Sequence, residues 1–248
     1  MIISHRHRYI FLHCRKSAGS AVKVSLARDL GPLDLQVGGW SDVINNGGRP
    51  NLRALAGFGR PRHAWFYAKS RLSGVPPTKS FNRMTKRVWR KRYRMGMFPP
   101  ARKMKAAFPR EWQSYHKFCI VRNPFDRVVS DYFWRTKGEE DPPTFAEFVD
   151  AMVAGDTLDG TLRGDYSNWD MYTIDDEIAV DDVIRFENLE SELRAVLDRI
   201  GLAWDGWLPR AKAGGKRPRD YRELYGPRQI EQVGALCRRE IEAFGYDF

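Results

Sequence analysis

Nothing in the chain approaches the roughly 20 consecutive apolar residues that a membrane-spanning helix needs. Cysteine is scarce, with three copies in 248 residues, at positions 14, 119 and 237. An odd count at such wide spacing does not read as a disulfide framework. Two of the three sit in apolar runs, as small buried hydrophobes do. Histidine is nearly as scarce, five copies with no close cysteine pair beside them, so no metal-ligand cluster is read. The common nucleotide loop G-x-x-x-x-G-K-[ST] is missing, and so is a clear metal-binding acidic pair, which weighs against phosphoryl transfer. No internal repeat or low-complexity tract is visible. The opening MIISHRHR leads straight into a strand pattern and leaves no room for a signal peptide, so the expected compartment is reducing and cytoplasmic.

Acidic residues are missing from one place in particular. Between Lys79 and Lys117 there are 13 Lys or Arg against the single acid Glu111. That segment carries +12 of a formal net charge of +11, which leaves −1 for the rest of the chain. The basicity is local, and it calls for an anionic substrate, an anionic membrane surface or a nucleic acid nearby. Part of the segment, RMTKRVWRKRYR from Arg83 to Arg94, reads as a short basic helix with Met84, Val88 and Tyr93 inward. Trp89 and Tyr93 would then suit stacking on a sugar or settling at a lipid interface.

Hydrophobic periodicity alternates between strand and helix. Residues 8–14 read as a buried strand followed by a helix from Ser20 to Leu30. Lys117 to Val121 is a second strand, followed by a helix over Asp126–Trp134. Asp182 to Phe186 is a third, followed by a helix over Glu190–Ile200. Thr144–Met152 and Pro227–Phe244 read as further helices, the latter closed by Gly245. PPARKMKAAF opens on proline and reads as a helix as well. Residues 31–80, rich in Gly and Pro, read as loops that insert over one face of the core. Strand followed by helix, three times, implies an α/β fold with a central parallel sheet flanked by helices.

In such a fold, ligands bind beyond the carboxyl ends of the strands. The first strand ends in CRKSAGS. Ser17, Ala18, Gly19 and Ser20 are small enough for backbone N–H groups to converge on an anion, and the helix that follows adds unpaired donors and a favourable dipole. Arg15 and Lys16 bring full charges. A tight turn with a solvated lysine is the plainer reading of the same string. The second strand runs into VRNPFDRVVSDY, which puts Arg122 at another strand end and Ser130 two turns into the next helix. A guanidinium fork and a hydroxyl suit a phosphate; an Arg122–Asp126 pair that only caps the turn is the alternative.

FLHCRKSAGS followed by KFCIVRNPFDRVVSDY resembles the sulfotransferases that use 3'-phosphoadenosine 5'-phosphosulfate, closest to their carbohydrate branch. VDDVIRFENLESELRAVLDRIGL and YRELYGPRQIEQVGALCRREIEAFGYDF agree with it. The resemblance implies a single domain over residues 1–248 with a P-loop-like three-layer fold and an acceptor-side insertion at 31–95. It implies that Arg15, Lys16, Ser17, Ala18, Gly19 and Ser20 hold the 5'-phosphosulfate, that Arg122 and Ser130 hold the 3'-phosphate, and that Lys216 and Arg217 belong to a late basic loop over the cofactor. Lys16 would act on the leaving oxygen, and adenosine 3',5'-bisphosphate would be the product. Glu187 and Asn188 read as shaping the fold. No metal is implied.

The chain departs from the family where many relatives carry a histidine ahead of the PARKMKAAF-like segment; Met97 and Phe98 stand there. His63 is the expected substitute as general base, with Asp165 a further option. His13 is expected to orient the cradle, and His116 to lie at the periphery. The expected acceptor is a hydroxyl of a glycan or glycolipid, with peripheral contact to an anionic membrane surface and no nucleic acid. A nonenzymatic nucleic-acid-binding protein using the 79–117 segment and a degenerate relative that binds cofactor without turnover remain the alternatives.

Overall fold

The computed structural model describes residues 1–156, 166–209 and 217–248. The chain divides into two compact units, Met1–Ile120 with Asp170–Ala211, and Val121–Trp169 with Lys212–Phe248.

In the first unit the chain runs through β1 (Ile2–Ser4), β2 (Tyr9–Leu12), α1 (Gly19–Leu26), β3 (Leu35–Gln36), α2 (Trp40–Asn45), α3 (Leu52–Leu55), α4 (Pro61–Leu72), α5 (Pro77–Tyr93), α6 (Ala101–Ala107), α7 (Pro109–Ser114) and β4 (His116–Val121). The second unit begins in the last residue of β4 and contributes α8 (Pro124–Arg135) and α9 (Phe145–Ala154). The chain then returns to the first unit for β5 (Thr173–Ile174), β6 (Glu177–Ile178), β7 (Asp182–Arg185) and α10 (Leu189–Arg199). It ends in the second unit with α11 (Pro227–Leu236) and α12 (Arg238–Phe244).

Five strands form the central sheet in the order β3-β1-β2-β4-β7. β2 and β4 pair in parallel, Phe11 opposite Phe118 and Leu12 opposite Cys119. The expected central parallel sheet is present in this pair, and it gains antiparallel strands at one side. β1 pairs antiparallel with both β2 and β3, because residues 5–8 close a short turn that folds Ile2–Ser4 back onto Tyr9–Phe11. The N-terminal residues, read as a lead-in, are a buried inner strand.

Alternation along the strands gives the sheet two apolar faces. Ile2, Tyr9, Phe11, Phe118, Ile120 and Ile184 share one core with Val22 and Leu26 of α1 and Leu193, Val196 and Leu197 of α10. Ile3, Ile10, Leu12 and Cys119 on the other face are equally buried.

The Gly/Pro-rich stretch holds short helices where loops were expected. Pro61 and Pro77 do not break structure; each opens a helix, where a missing N–H costs nothing and the fixed φ helps. α5 is longer than its basic stretch suggested, 17 residues. Phe81 and Met84 of α5 pack with Val24, Trp40 and Val43, and Val88 borders the same cluster. Trp89 is buried as well, donating Nε1–H to the Gly96 carbonyl at 2.8 Å and lying against Tyr93, so it is a core residue and not a lipid-facing one.

In the second unit Phe125, Val128 and Val129 of α8 pack on Phe145, Phe148, Val149 and Met152 of α9 and on Val233 and Cys237. Thr144 and Glu147 form a capping box at the start of α9. The final helix, read as continuous, is two. The backbone leaves helical geometry at Cys237, with φ −108° and ψ 17°. Cys237 and Glu240 both reach the buried Arg127 there, Glu240 at 2.8 Å. Tertiary contacts override a sequence that carries no proline at the break. Gly245 closes α12 in the left-handed conformation, as its position implied.

Candidate functional site

The loop after β2 combines strain and close packing. Lys16 and Ala18 both take left-handed backbone, φ 59° and 56°. Such conformations cost a non-glycine residue on the order of 1–2 kcal/mol each, and residues held in them cluster at ligand clamps. Ala18 is the N-cap of α1, and its carbonyl accepts the first helical bonds from Ala21 and Val22. The first-turn amides ahead of them have no acceptor inside the helix. Ser17 is buried and donates to the Arg15 carbonyl at 3.1 Å, which tightens the turn. Lys16 and Ser20 are half-buried.

The loop rests on His13. Its ring stacks on Phe11 at 6.2 Å and meets Phe98 edge-on at 5.0 Å, while the Arg15 guanidinium lies over Phe98 at 5.5 Å. Gly19 touches the ring so closely that a Cβ there would stand 2.0 Å from Cδ2 of His13. Phe98, noted in the sequence only for replacing a histidine, is thus a platform for the loop. Its signal is an aromatic next to a proline pair, which sequence alone does not distinguish from core.

The segment after β4 forms a second cluster. Arg122, Asp126 and Ser130 fall at i, i+4 and i+8, on one face of α8 and its lead-in. Arg122 is buried and donates from Nε to Asp126 at 2.7 Å. Arg217 pairs with the other oxygen of the same carboxylate. Burial and the neighbouring Arg122 lower the Arg217 guanidinium below its usual range. Two guanidiniums thus share one carboxylate, and the half-buried Ser130 lies one turn further along the same helix from Asp126. Asn123 anchors the turn, accepting from the Phe125 amide at 3.0 Å and donating to the Asp247 carbonyl at 2.8 Å. The sequence alternative, Arg122 bound to Asp126, is present, with Arg217 added to it.

The family model described as the sulfotransferase family matches residues 1–247. The chain belongs to the sulfotransferase family. No curated protein and no solved structure matches it. The family match supports an enzyme that transfers sulfuryl groups.

The other expected residues scatter. His63 lies in α4 and is 2% exposed, with neither ring nitrogen in a well-formed hydrogen bond. Burial first, then Arg62, with Arg60 and Lys91 behind it, lower its pKa below the ordinary histidine value; the Gly57 backbone opposes this only in part. The cavity that His63 lines includes none of residues 13–20. His116 begins β4 and pairs with Asp182 at 2.6 Å, while His5 meets the Tyr115 hydroxyl at 3.0 Å. Asn188 donates to Glu192 at the start of α10, a structural contact. Lys216 and Asp165 lie outside the described residues. Among the described residues no group of His, Cys, Asp and Glu could hold a metal ion, and no helix is long and apolar enough to cross a membrane.

Proposed function

We propose that this sulfotransferase moves a sulfuryl group from 3'-phosphoadenosine 5'-phosphosulfate to a hydroxyl of a glycan or glycolipid, on a P-loop-like core. The observation that carries the reading is the pair of anion-suited loops, one strained around Lys16 and Ala18 and one with two guanidiniums on a single carboxylate. Each loop by itself suits one anionic group, as either end of that donor would present. Residues 15–20 would hold the 5'-phosphosulfate; Arg122, Ser130 and Arg217, with Lys216, would hold the 3'-phosphate.

The donor supplies an activated sulfur whose bond to the bridging phosphate oxygen breaks as the acceptor oxygen attaches. Lys16 meets the negative charge that grows on that bridging oxygen, and the amides of the loop hold the sulfuryl oxygens in a fixed field. His63 is kept neutral near pH 7 by burial and the neighbouring cations, but its cavity includes none of residues 13–20, so the acceptor proton is not routed through it. Asp126 orients both guanidiniums, and a bound phosphate would compete with it for them.

The test is transfer of radiolabelled sulfate from the donor to a panel of glycans and glycolipids. Wild-type protein should label at least one, and Lys16→Ala should cut turnover by about 10²-fold or more while binding adenosine 3',5'-bisphosphate within a few-fold of wild type. Unchanged turnover in a folded Lys16→Ala variant would remove the assigned role.

A further inference from the structure

α4 and α5 fold back on one another as a helical hairpin. Ser80 of α5 donates to Ser70 of α4 at 3.0 Å, and the Arg87 guanidinium lies over the Phe66 ring at 4.6 Å. The inward side of α4 carries His63 and Ser70, both buried. Its outward side carries Trp65, 65% exposed, and Leu72, 82% exposed. A surface helix whose only partner is its own core does the reverse, turning apolar residues in and polar residues out. Trp65 and Leu72 lie two turns apart on one face, a rise of about 10 Å. Arg62 and Lys69, both exposed, share that stripe at spacings of three and four residues.

The exposed side of α5 extends the surface with Lys79, Arg83, Arg87 and Arg90, about one cation per turn. Arg87 joins the two stripes, since it is exposed on α5 and covers Phe66 of α4. Between Pro61 and Tyr93 there are ten Lys or Arg and no acid, so the hairpin cannot neutralise itself. These features select among partners. A second copy of the chain would set the same cations against one another. A nucleic acid or a sulfated polymer would satisfy the cations, and Trp65 could stack on a ring, but neither offers Leu72 an apolar place. The surface of an anionic bilayer offers all three: charge for the cations, a headgroup-level site for an indole, and acyl carbon for a leucine.

We propose that the outward face of the α4–α5 hairpin docks on an anionic lipid bilayer, with Trp65 and Leu72 in the interface and Lys79, Arg83, Arg87 and Arg90 over the headgroups. The docking does not depend on sulfuryl transfer. The sequence alone points to Trp89 and Tyr93 for such a contact. Trp89 is buried, whereas Trp65 and Leu72 carry no sequence signal beyond that of two apolar residues in a helix.

Co-sedimentation with vesicles of equimolar phosphatidylcholine and phosphatidylserine, against vesicles of phosphatidylcholine alone, tests it. Wild-type protein should bind the anionic vesicles at least ~10-fold more tightly, each cation at the surface contributing up to about fivefold. Arg83→Gln with Arg90→Gln should lower that affinity by about 10-fold or more. Trp65→Gln with Leu72→Gln should also lower it by at least ~10-fold, and should leave retention on heparin and binding of a single-stranded oligonucleotide as in wild type. Trp65→Phe keeps an apolar ring at the site, so it should bind vesicles like wild type but lose much of the fluorescence quenching that brominated acyl chains cause. This readout stands even if the glutamine pair fails to fold. Equal binding to the two vesicle types, no binding to either, vesicle binding indifferent to Trp65→Gln with Leu72→Gln, or equal quenching in wild type and Trp65→Phe would overturn the proposal. So would heparin or oligonucleotide binding that depends on Trp65 and Leu72 while vesicle binding does not.

Discussion

Gly19→Ala is the sharpest perturbation of the first loop. The added methyl would stand 2.0 Å from Cδ2, 2.5 Å from Nε2 and 2.9 Å from Cγ of His13. Ordinary carbon contacts lie near 3.5–4.0 Å, so the ring must retreat by more than an ångström. It has little room, being 7% exposed and held against Phe11 and Phe98. Forcing an extra methyl into a packed site typically costs about 1–3 kcal/mol. Alanine's better helix propensity offsets less than ~1 kcal/mol of this, since Gly19 is the first helical residue. A net loss of about 1–2 kcal/mol corresponds to roughly 2–8 °C in melting temperature for a chain of this size. Thermal melts of the wild type, Gly19→Ala, His13→Ala and the double variant measure it. The double variant should be more stable than the sum of the singles implies, because removing the ring removes the collision. Identical melting of Gly19→Ala and wild type, or strict additivity, would refute the close approach.

Two further outcomes follow from buried charge. Arg127 and Glu240 pair at 2.8 Å with each side chain about 5% exposed, and Glu240 also accepts from the Asn168 amide at 2.7 Å. Arg127→Met alone should destabilise by ~3–5 kcal/mol by stranding a carboxylate, while Arg127→Met with Glu240→Met should recover much of that; a single variant within 1 kcal/mol of wild type in urea denaturation would count against it. His63 has its pKa lowered in the folded state, so below about pH 6.5 the unfolded chain binds more protons there, and stability falls until pH drops below the folded value. His63→Gln should flatten that part of the stability–pH curve between pH 7 and pH 5, and equal slopes for the two proteins would contradict the shift.

The strand–helix rhythm was legible because apolar residues crowd short runs and then repeat at helical spacing, as in Tyr9–Leu12 followed by Gly19–Leu26. The antiparallel β1 was not, because three apolar residues at a chain start carry no register and only the turn over residues 5–8 fixes their partner. Residues 31–80 misread as loops because proline marks a helix start as readily as a break, and Pro61 and Pro77 do the former. Both loops proposed to bind the donor were visible as residue types at strand ends. Their support was not: Phe98 under Arg15 and Arg217 on Asp126 join positions 83 and 91 residues apart. The unsatisfied ring nitrogens of His63 illustrate the same limit, since an orphan polar atom is defined by what surrounds it.

The central claim is that Arg122 and its neighbours recognise a 3'-phosphate. Calorimetric titration with adenosine 3',5'-bisphosphate and with 5'-AMP, for wild type and Arg122→Ala, tests it most directly. The account predicts that wild type prefers the bisphosphate by at least ~10-fold, as one charge-assisted hydrogen bond supplies, and that Arg122→Ala erases the preference while 5'-AMP binds as before. Equal affinities for the two nucleotides in the wild-type protein would contradict it.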